Sequence, residues 1–383
     1  MSNQSFRRIV ALILACLLLG TTTFAAPASD LDPQLRQQAE KSLKRAAAWL
    51  LAQQADDGLW HSATYGQMRG GAGDSALALY SLTGAWPLLS PAEQAQVRRG
   101  LEALLENLDP TGFVRAPDGS SDYPNYATAL TLHAIERAKL TQFADQANQL
   151  RRYLTAVQHP DGGWGQTGGD PADLASTRQP NISVTRYVLE ALQASPPEDR
   201  KPFARGAKFV SRLQHDDPKL PDHGSFHFTF PADDPLNKAG WQETDGTLRA
   251  RGYASATADG VLALLAAGIP PGDPRIQVAL RYLEKHDDLQ TIAGIPAGDP
   301  EVAANRQAFL FYYYAALAEV IQQSPTTQLK SRSAPLIEQI LSQQKPDGSW
   351  SNPSNLMRED DPLIATPLAL EALSTIVPLP NGK

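Results

Sequence analysis

The chain has 383 residues, 42% of them hydrophobic and 20% charged, with a formal net charge of −7 and one cysteine. The acidic balance, with no run of Lys or Arg, removes nucleic acid from the expected partners. That length and apolar content suffice for one large core or two domains, and a repeat running through most of the chain favours one.

The first segment reads as a leader. Arg7 and Arg8 precede an apolar stretch from Ile9 to Gly20, and small residues follow at Ala25, Ala26 and Ala28. Residues 1–26 are therefore expected to be a signal peptide, and the mature chain periplasmic or secreted. The stretch is short for a spanning helix, so no stable membrane insertion is expected after cleavage. Cys16 leaves with the leader, and the mature chain must rely on packing rather than disulfides.

From residue 30 to 380 one pattern recurs six times, at roughly 55-residue spacing. In chain order its turns fall at Gln54-Ala-Asp-Asp57-Gly58-Leu-Trp60, at Asp109-Pro-Thr-Gly112-Phe113 and at Gln158-His-Pro-Asp161-Gly162-Gly-Trp164. They continue at Asp222-His-Gly224-Ser-Phe226, near Gly294-Ile295, and at Gln344-Lys-Pro-Asp347-Gly348-Ser-Trp350. A helix precedes each turn, best seen in Arg205-Gly206-Ala-Lys-Phe209-Val210-Ser-Arg-Leu-Gln214. Gly is expected to end that helix and Asp to bond the turn backbone. A second helix follows. If Ser75, Thr128, Thr185, Thr257, Leu310 and Thr366 are aligned as anchors, a small residue and then a branched aliphatic stand six and seven residues later in every copy. Apolar residues at helical spacing beside a small one predict a closely packed helix.

The pattern of Arg or Lys, Gly, two residues, an aromatic, an aliphatic and a Gln four further on, then Asp-Gly-x-Trp, resembles the QW repeat of the terpenoid cyclase and protein prenyltransferase superfamily. The resemblance spans nearly all of the mature chain. It implies an all-α fold, an (α/α)6 toroid in which inner helices ring a cavity and outer helices surround them. An open solenoid of helix pairs is the structural alternative. It requires atypical terminal repeats, whereas the turns at Trp60 and Trp350 are among the best preserved.

The catalytic motifs of that superfamily are missing. No acidic doublet here has an Asp two places before it, so the Asp-x-Asp-Asp proton donor of class II cyclases is absent. The mature chain has no Cys for a prenyltransferase zinc site and no Cys-Gly-Glu-Gln thioester. No cofactor is expected. The one metal-like alternative is the group His215, Asp222, His223 and His227.

Loop length points to a site. The turn aromatic lies 15 or 16 residues before its anchor in three repeats, but 21 in the third and 31 in the fourth. Long excursions from a regular scaffold tend to carry function. Residues 165–182 and 227–256, with the start of the inner helices, supply candidate ligand contacts at Arg178, Asn181, Arg186, Tyr187, Trp241, Arg251, Tyr253 and Tyr312. Asp74, Asp259 and Asp360 are the candidate acids. Asp259 stands out because its equivalents are Leu77, Leu130, Tyr187, Tyr312 and Leu368. A carboxylate in such a ring must be paired or protonated. The expected function is to bind a small molecule, glycan or peptide in or over the toroid cavity. The alternative is a carboxylate-based enzyme, either a polysaccharide hydrolase or lyase or an isoprenoid cyclase.

Overall fold

Helix starts follow from capping chemistry. A computed structural model describes residues 31–120, 122–166, 179–194, 199–230, 237–244 and 246–379; the expected leader and Arg178 lie outside them. Asp32 accepts hydrogen bonds from the backbone N–H of Gln34 and Leu35 and starts α1 (Pro33–Ala52), with Pro in the first turn. Ser90 and Glu93 form a reciprocal capping box at α3 (Pro91–Leu105). Asp273 and Asp361, each followed by Pro, start α9 (Pro274–Lys285) and α12 (Pro362–Ile376) in the same way.

The other long helices are α2 (Ala72–Gly84), α4 (Pro124–Arg137), α5 (Ala144–Ala156), α6 (Ile182–Ala194), α7 (Lys201–Arg212), α8 (Ala254–Ala266), α10 (Leu310–Gln323) and α11 (Ser333–Leu341). Odd-numbered helices are the first of each hairpin and even-numbered ones the second. Burial separates them. α8 buries every residue but Leu265, whereas α7 buries one stripe of Pro202, Phe203, Gly206, Ala207, Phe209 and Val210. A helix apolar all round is enclosed by others, and one with a single stripe lies outside.

The even helices pack as a cycle: α2 on α4, α4 on α6, α6 on α8, α8 on α10, α10 on α12, and α12 back on α2. The first and last hairpins therefore meet. Gln344, in the last turn, donates to the Ser42 carbonyl at 3.1 Å, and Ser42 Oγ donates to Gln344 Oε1 at 2.9 Å. A Cβ at Gly348 would stand 2.8 Å from the Arg45 carbonyl oxygen. The described helices thus form a closed (α/α)6 toroid within the unit Asp32–Lys383, not an open solenoid.

The turns explain the anchors. The backbone N–H of Trp60, Trp164 and Trp350 donates to the hydroxyl of Ser75, Thr185 and Thr366 at 2.8, 3.0 and 3.0 Å. Each indole N–H donates to a carbonyl of the preceding helix, on Leu50, Leu154 and Ile340. Gln54, Gln158, Gln214 and Gln344 each bond their own turn and also a carbonyl of the next outer helix or its first turn. The repeat's polar residues thus stitch hairpin to hairpin.

Two readings of the turn are corrected. In the second repeat the anchor Thr128 receives the N–H of Val114, not Phe113. Val114 is fully buried where the Trp sits elsewhere, and Phe113 is half-buried against Tyr153. Gly58 and its equivalents do not end the helix: α1 stops at Ala52 and is closed by Gln53. Gly58 sits later, in the turn, at φ 88°, where a Cβ would lie 3.0 Å from Ala103 Cβ. The long fourth excursion also carries a two-stranded antiparallel ribbon, β1 (Trp241–Thr244) and β2 (Thr247–Ala250), which helical periodicity did not predict.

Candidate functional site

One repeat position builds the cavity. Residues two places after each anchor, Leu77, Leu130, Tyr187, Asp259, Tyr312 and Leu368, all line a cavity of about 360 Å3 inside the ring. Residues two places before the anchors, Gly73, Tyr126, Ser183, Ser255 and Ile364, line it as well. Two positions four apart share one helix face, so the two rings stack toward the toroid axis. All lie within the first two turns of the inner helices, so the cavity lies at their N-terminal ends, the end the sequence indicated. Met68, Phe228, Phe309, Leu356 and Met357 complete a largely apolar and aromatic wall, with Tyr123, Gln166, Lys238, Arg358 and Glu359 beside them.

Polar groups converge on Asp259. Arg186 Nη1 donates to Asp259 Oδ1 at 3.1 Å, and the Tyr312 hydroxyl donates to Oδ2 at 2.8 Å. Ser183 Oγ bonds both the Tyr312 and the Tyr126 hydroxyls. Arg186 is buried and also donates to Glu190 at 2.8 Å and to Glu319 at 2.5 Å. Burial pushes Asp259 up to about 6, while Arg186 and Tyr312 pull it down. Burial likewise raises Glu190 to about 8, with Glu319 and Asp259 adding to the rise and Arg186 opposing it. One guanidinium does not neutralise three carboxylates, so the cluster retains a proton most readily on Glu190, the member buried with one oxygen unpartnered.

A second buried carboxyl serves a helix. Glu359 accepts from the backbone N–H of Phe311 at 3.1 Å and of Tyr312 at 2.7 Å, and from Asn352 at 3.2 Å. It closes the N-terminus of α10, where negative charge is favoured. Burial still raises it to about 8. Beside it, Arg358 lies over the rings of Tyr65 and Tyr123, at 5.3 and 5.5 Å. Tyr123 and Arg358 hold φ of 51° and 64°, a conformation bulky residues adopt only when their surroundings impose it.

The sequence-derived candidates divide. Asp259, Tyr187, Tyr253 and Tyr312 line the cavity, and Arg186 pairs with Asp259 beside it. Asn181 accepts from the Val184 N–H at 3.0 Å and caps α6. Trp241 pairs with Ala250 in the ribbon, and Arg251 is held by Asp299 at 3.2 Å; neither lines the cavity. Asp360 accepts from the Tyr65 hydroxyl at 2.5 Å. Asp74 is fully buried in the first turn of α2, and neither oxygen has a partner of hydrogen-bond geometry. Burial and then Asp122 raise its carboxyl well above the usual range, although the Ser62 N–H opposes this. No hydrogen bond joins Asp74, Asp259 and Asp360 to one another among the described residues. His215 stands 2.8 Å from Asp222 and 3.2 Å from His227, and His223 does not join them. Among the described residues no group of three or more His, Cys, Asp or Glu has metal-holding geometry. Tyr126 and Ser183 were missed as candidates. They share the register two places before the anchors, but nothing in that column marks them until the fold sets both beside Tyr312.

No protein-family model matches the chain, and no curated protein matches it. Solved structures do. A variant of the type II terpene cyclase MstE from Scytonema, in complex with merosterolic acid A, is 18% identical with TM-score 0.59, over 90% of this chain and 98% of that one. A cellobiose 2-epimerase from Spirochaeta thermophila is 14% identical with TM-score 0.60, over 91% and 100%. An inactive α-1,6-mannanase variant from Salegentibacter, in complex with α-1,6-mannotriose, is 12% identical with TM-score 0.55, over 88% and 99%. These likenesses establish the toroid and no activity.

Proposed function

We propose that this (α/α)6 toroid, with repeat turns of the squalene-cyclase type, is a ligand-binding protein that holds a largely apolar small molecule in its central cavity. The leader expected at residues 1–26 supports a periplasmic or secreted site for that activity. One observation carries the reading: the cavity wall is largely apolar and aromatic, and its carboxyls are already engaged by protein groups. Asp259 is held by Arg186 and Tyr312, and Glu359 by three N–H donors. The solved neighbours include complexes with merosterolic acid A and with α-1,6-mannotriose. One such toroid thus holds a terpene cyclase product and another a sugar, so the fold alone does not choose between ligand classes and the wall must.

Sugar cleavage needs two available carboxyls flanking one bond. Asp259 is ion-paired, Asp360 is bonded to Tyr65, and Asp74 is sealed in the core. A cavity of about 360 Å3 falls in the usual range for small-molecule sites.

N-phenylnaphthylamine, a fluorescent apolar probe, is the test. One saturable site is expected, lost in Leu130→Trp, which fills the cavity from the α4 wall, and undisturbed by mannotriose or cellobiose. Displacement by either sugar, or full probe binding by a folded Leu130→Trp variant, overturns the reading.

A further inference from the structure

The order of protons along the cavity wall says which end of a ligand that wall recognises. Asp259 Oδ1 faces the guanidinium of Arg186, which offers only N–H donors, has no lone pair to accept with and stays charged. Asp259 is therefore an acceptor, and the Tyr312 hydroxyl donates its one proton to Oδ2. With that proton committed, the Tyr312 oxygen is an acceptor toward Ser183, so Ser183 Oγ donates to it. Ser183 then has no proton left for Tyr126, and Tyr126 donates to Ser183. Three hydroxyls from α4, α6 and α10 all point their protons toward one carboxylate on α8. Each hydroxyl has one proton and two lone pairs, so what remains toward the cavity is lone pairs. Tyr126 and Ser183 both line the cavity.

The nearby helix N-termini do not reverse this polarity. Asn181 Oδ1 takes a first-turn N–H of α6, and Glu359 takes two of α10. The other lining hydroxyls, on Ser255, Tyr123, Tyr187 and Tyr253, can each donate or accept. The rings of Tyr126, Tyr187 and Tyr312 stand around the same spot, with centroid separations of 5.2 Å and 6.5 Å from Tyr187. Aromatic faces favour a cation as readily as an apolar chain.

We propose that the ligand is an apolar molecule carrying a hydrogen-bond-donating head, an alcohol or a primary ammonium, seated with that head on Tyr126 and Ser183 and its apolar body among Leu77, Leu130, Leu368 and Phe309. This rests on the apolar-ligand reading above and deepens it. A head that only accepts, such as an ether, meets lone pairs at that wall.

The test displaces N-phenylnaphthylamine from the full chain with four probes of equal length: n-decanol, n-decylamine, methyl nonyl ether and n-undecane. Decanol or decylamine should displace at concentrations about fivefold to tenfold below the ether, the ratio one net hydrogen bond supplies. The two donor probes separate alcohol from ammonium. In Tyr312→Phe the chain loses its link to Asp259, Ser183 is free to donate, and the alcohol-to-ether ratio should fall close to one. Ser183→Ala, a smaller change, should lower the same ratio by removing an acceptor. Equal displacement by alcohol and ether in the wild type overturns the head-group assignment and leaves the apolar site standing. So does a ratio unchanged in both variants. Failure of all four probes to displace overturns the apolar-ligand reading itself.

Discussion

The Trp turns and the cavity wall are built on opposite plans. In the turns, each polar contact stays within its own hairpin or reaches the neighbouring one. Trp164, for example, bonds Leu154 and Thr185, and Gln158 bonds Gly162 and Pro202. At the wall, the partners come from four helices: Tyr126 from α4, Ser183 and Arg186 from α6, Asp259 from α8 and Tyr312 from α10. The turns hold the ring closed and repeat with the sequence. The wall exists only because the ring is closed, and its polar groups come from the repeats that depart from the Leu of Leu77, Leu130 and Leu368 or add a hydroxyl beside it. Structure here is periodic and function is where the period breaks.

Perturbing each plan separately sharpens that contrast. The largest losses are expected at the buried anchors of both. Arg186→Leu strands Asp259 and Glu190 without their cation and should cost about 3–5 kcal/mol in urea unfolding. Trp164→Ala should cost a similar ~3–5 kcal/mol by leaving a cavity between hairpins. The two should differ in kind: Trp164→Ala variants that stay folded keep probe binding, whereas Arg186→Leu loses it.

Next comes pH. Glu359 holds its proton more tightly in the folded chain than in the unfolded one, its value rising from 4.5 to about 8. Its contribution is whole below 4.5 and is lost as pH climbs toward 8, at a rate of up to about 1.4 kcal/mol per unit. Thermal melts from pH 5 to pH 9 should therefore show Glu359→Gln gaining on the wild type as pH rises. Parallel curves would mean that Glu359 is ionised in the folded chain throughout.

Smaller effects belong to the hydrogen bonds of the turns. Thr185→Val leaves the buried Trp164 N–H unsatisfied, for about 1–3 kcal/mol. Gln344→Ala removes side-chain contacts across the ring closure, including Gln344 to the Ser42 carbonyl, and should cost about 1 kcal/mol in the same denaturation measurement. A cost near zero would mean that closure rests on packing alone.

This division also explains what the sequence disclosed. Helix pairs, their number and the ring are legible because they rest on local spacing and on glycines and tryptophans that recur. The aromatic Phe113 marks the second turn one residue early, because the anchor hydroxyl of Thr128, not the aromatic, fixes the turn's position. Asp259 was visible as a departure from its apolar equivalents. Tyr126 and Ser183 were not, since a lone Tyr or Ser on a helix is ordinary until the register sets them beside Tyr312. Trp241 and Arg251 drew attention by lying in a long excursion. That excursion does reach the cavity, but through Phe228, Lys238 and Tyr253.

The most direct test of the central claim is to locate a bound probe. A decanol analogue with a mid-chain diazirine, photolysed on the full-length protein and mapped by peptide mass spectrometry, should label inner-helix segments 124–137 and 362–376. Labelling confined to the outer helices, or to the exposed Leu248 of the ribbon, would contradict a ligand held inside the ring.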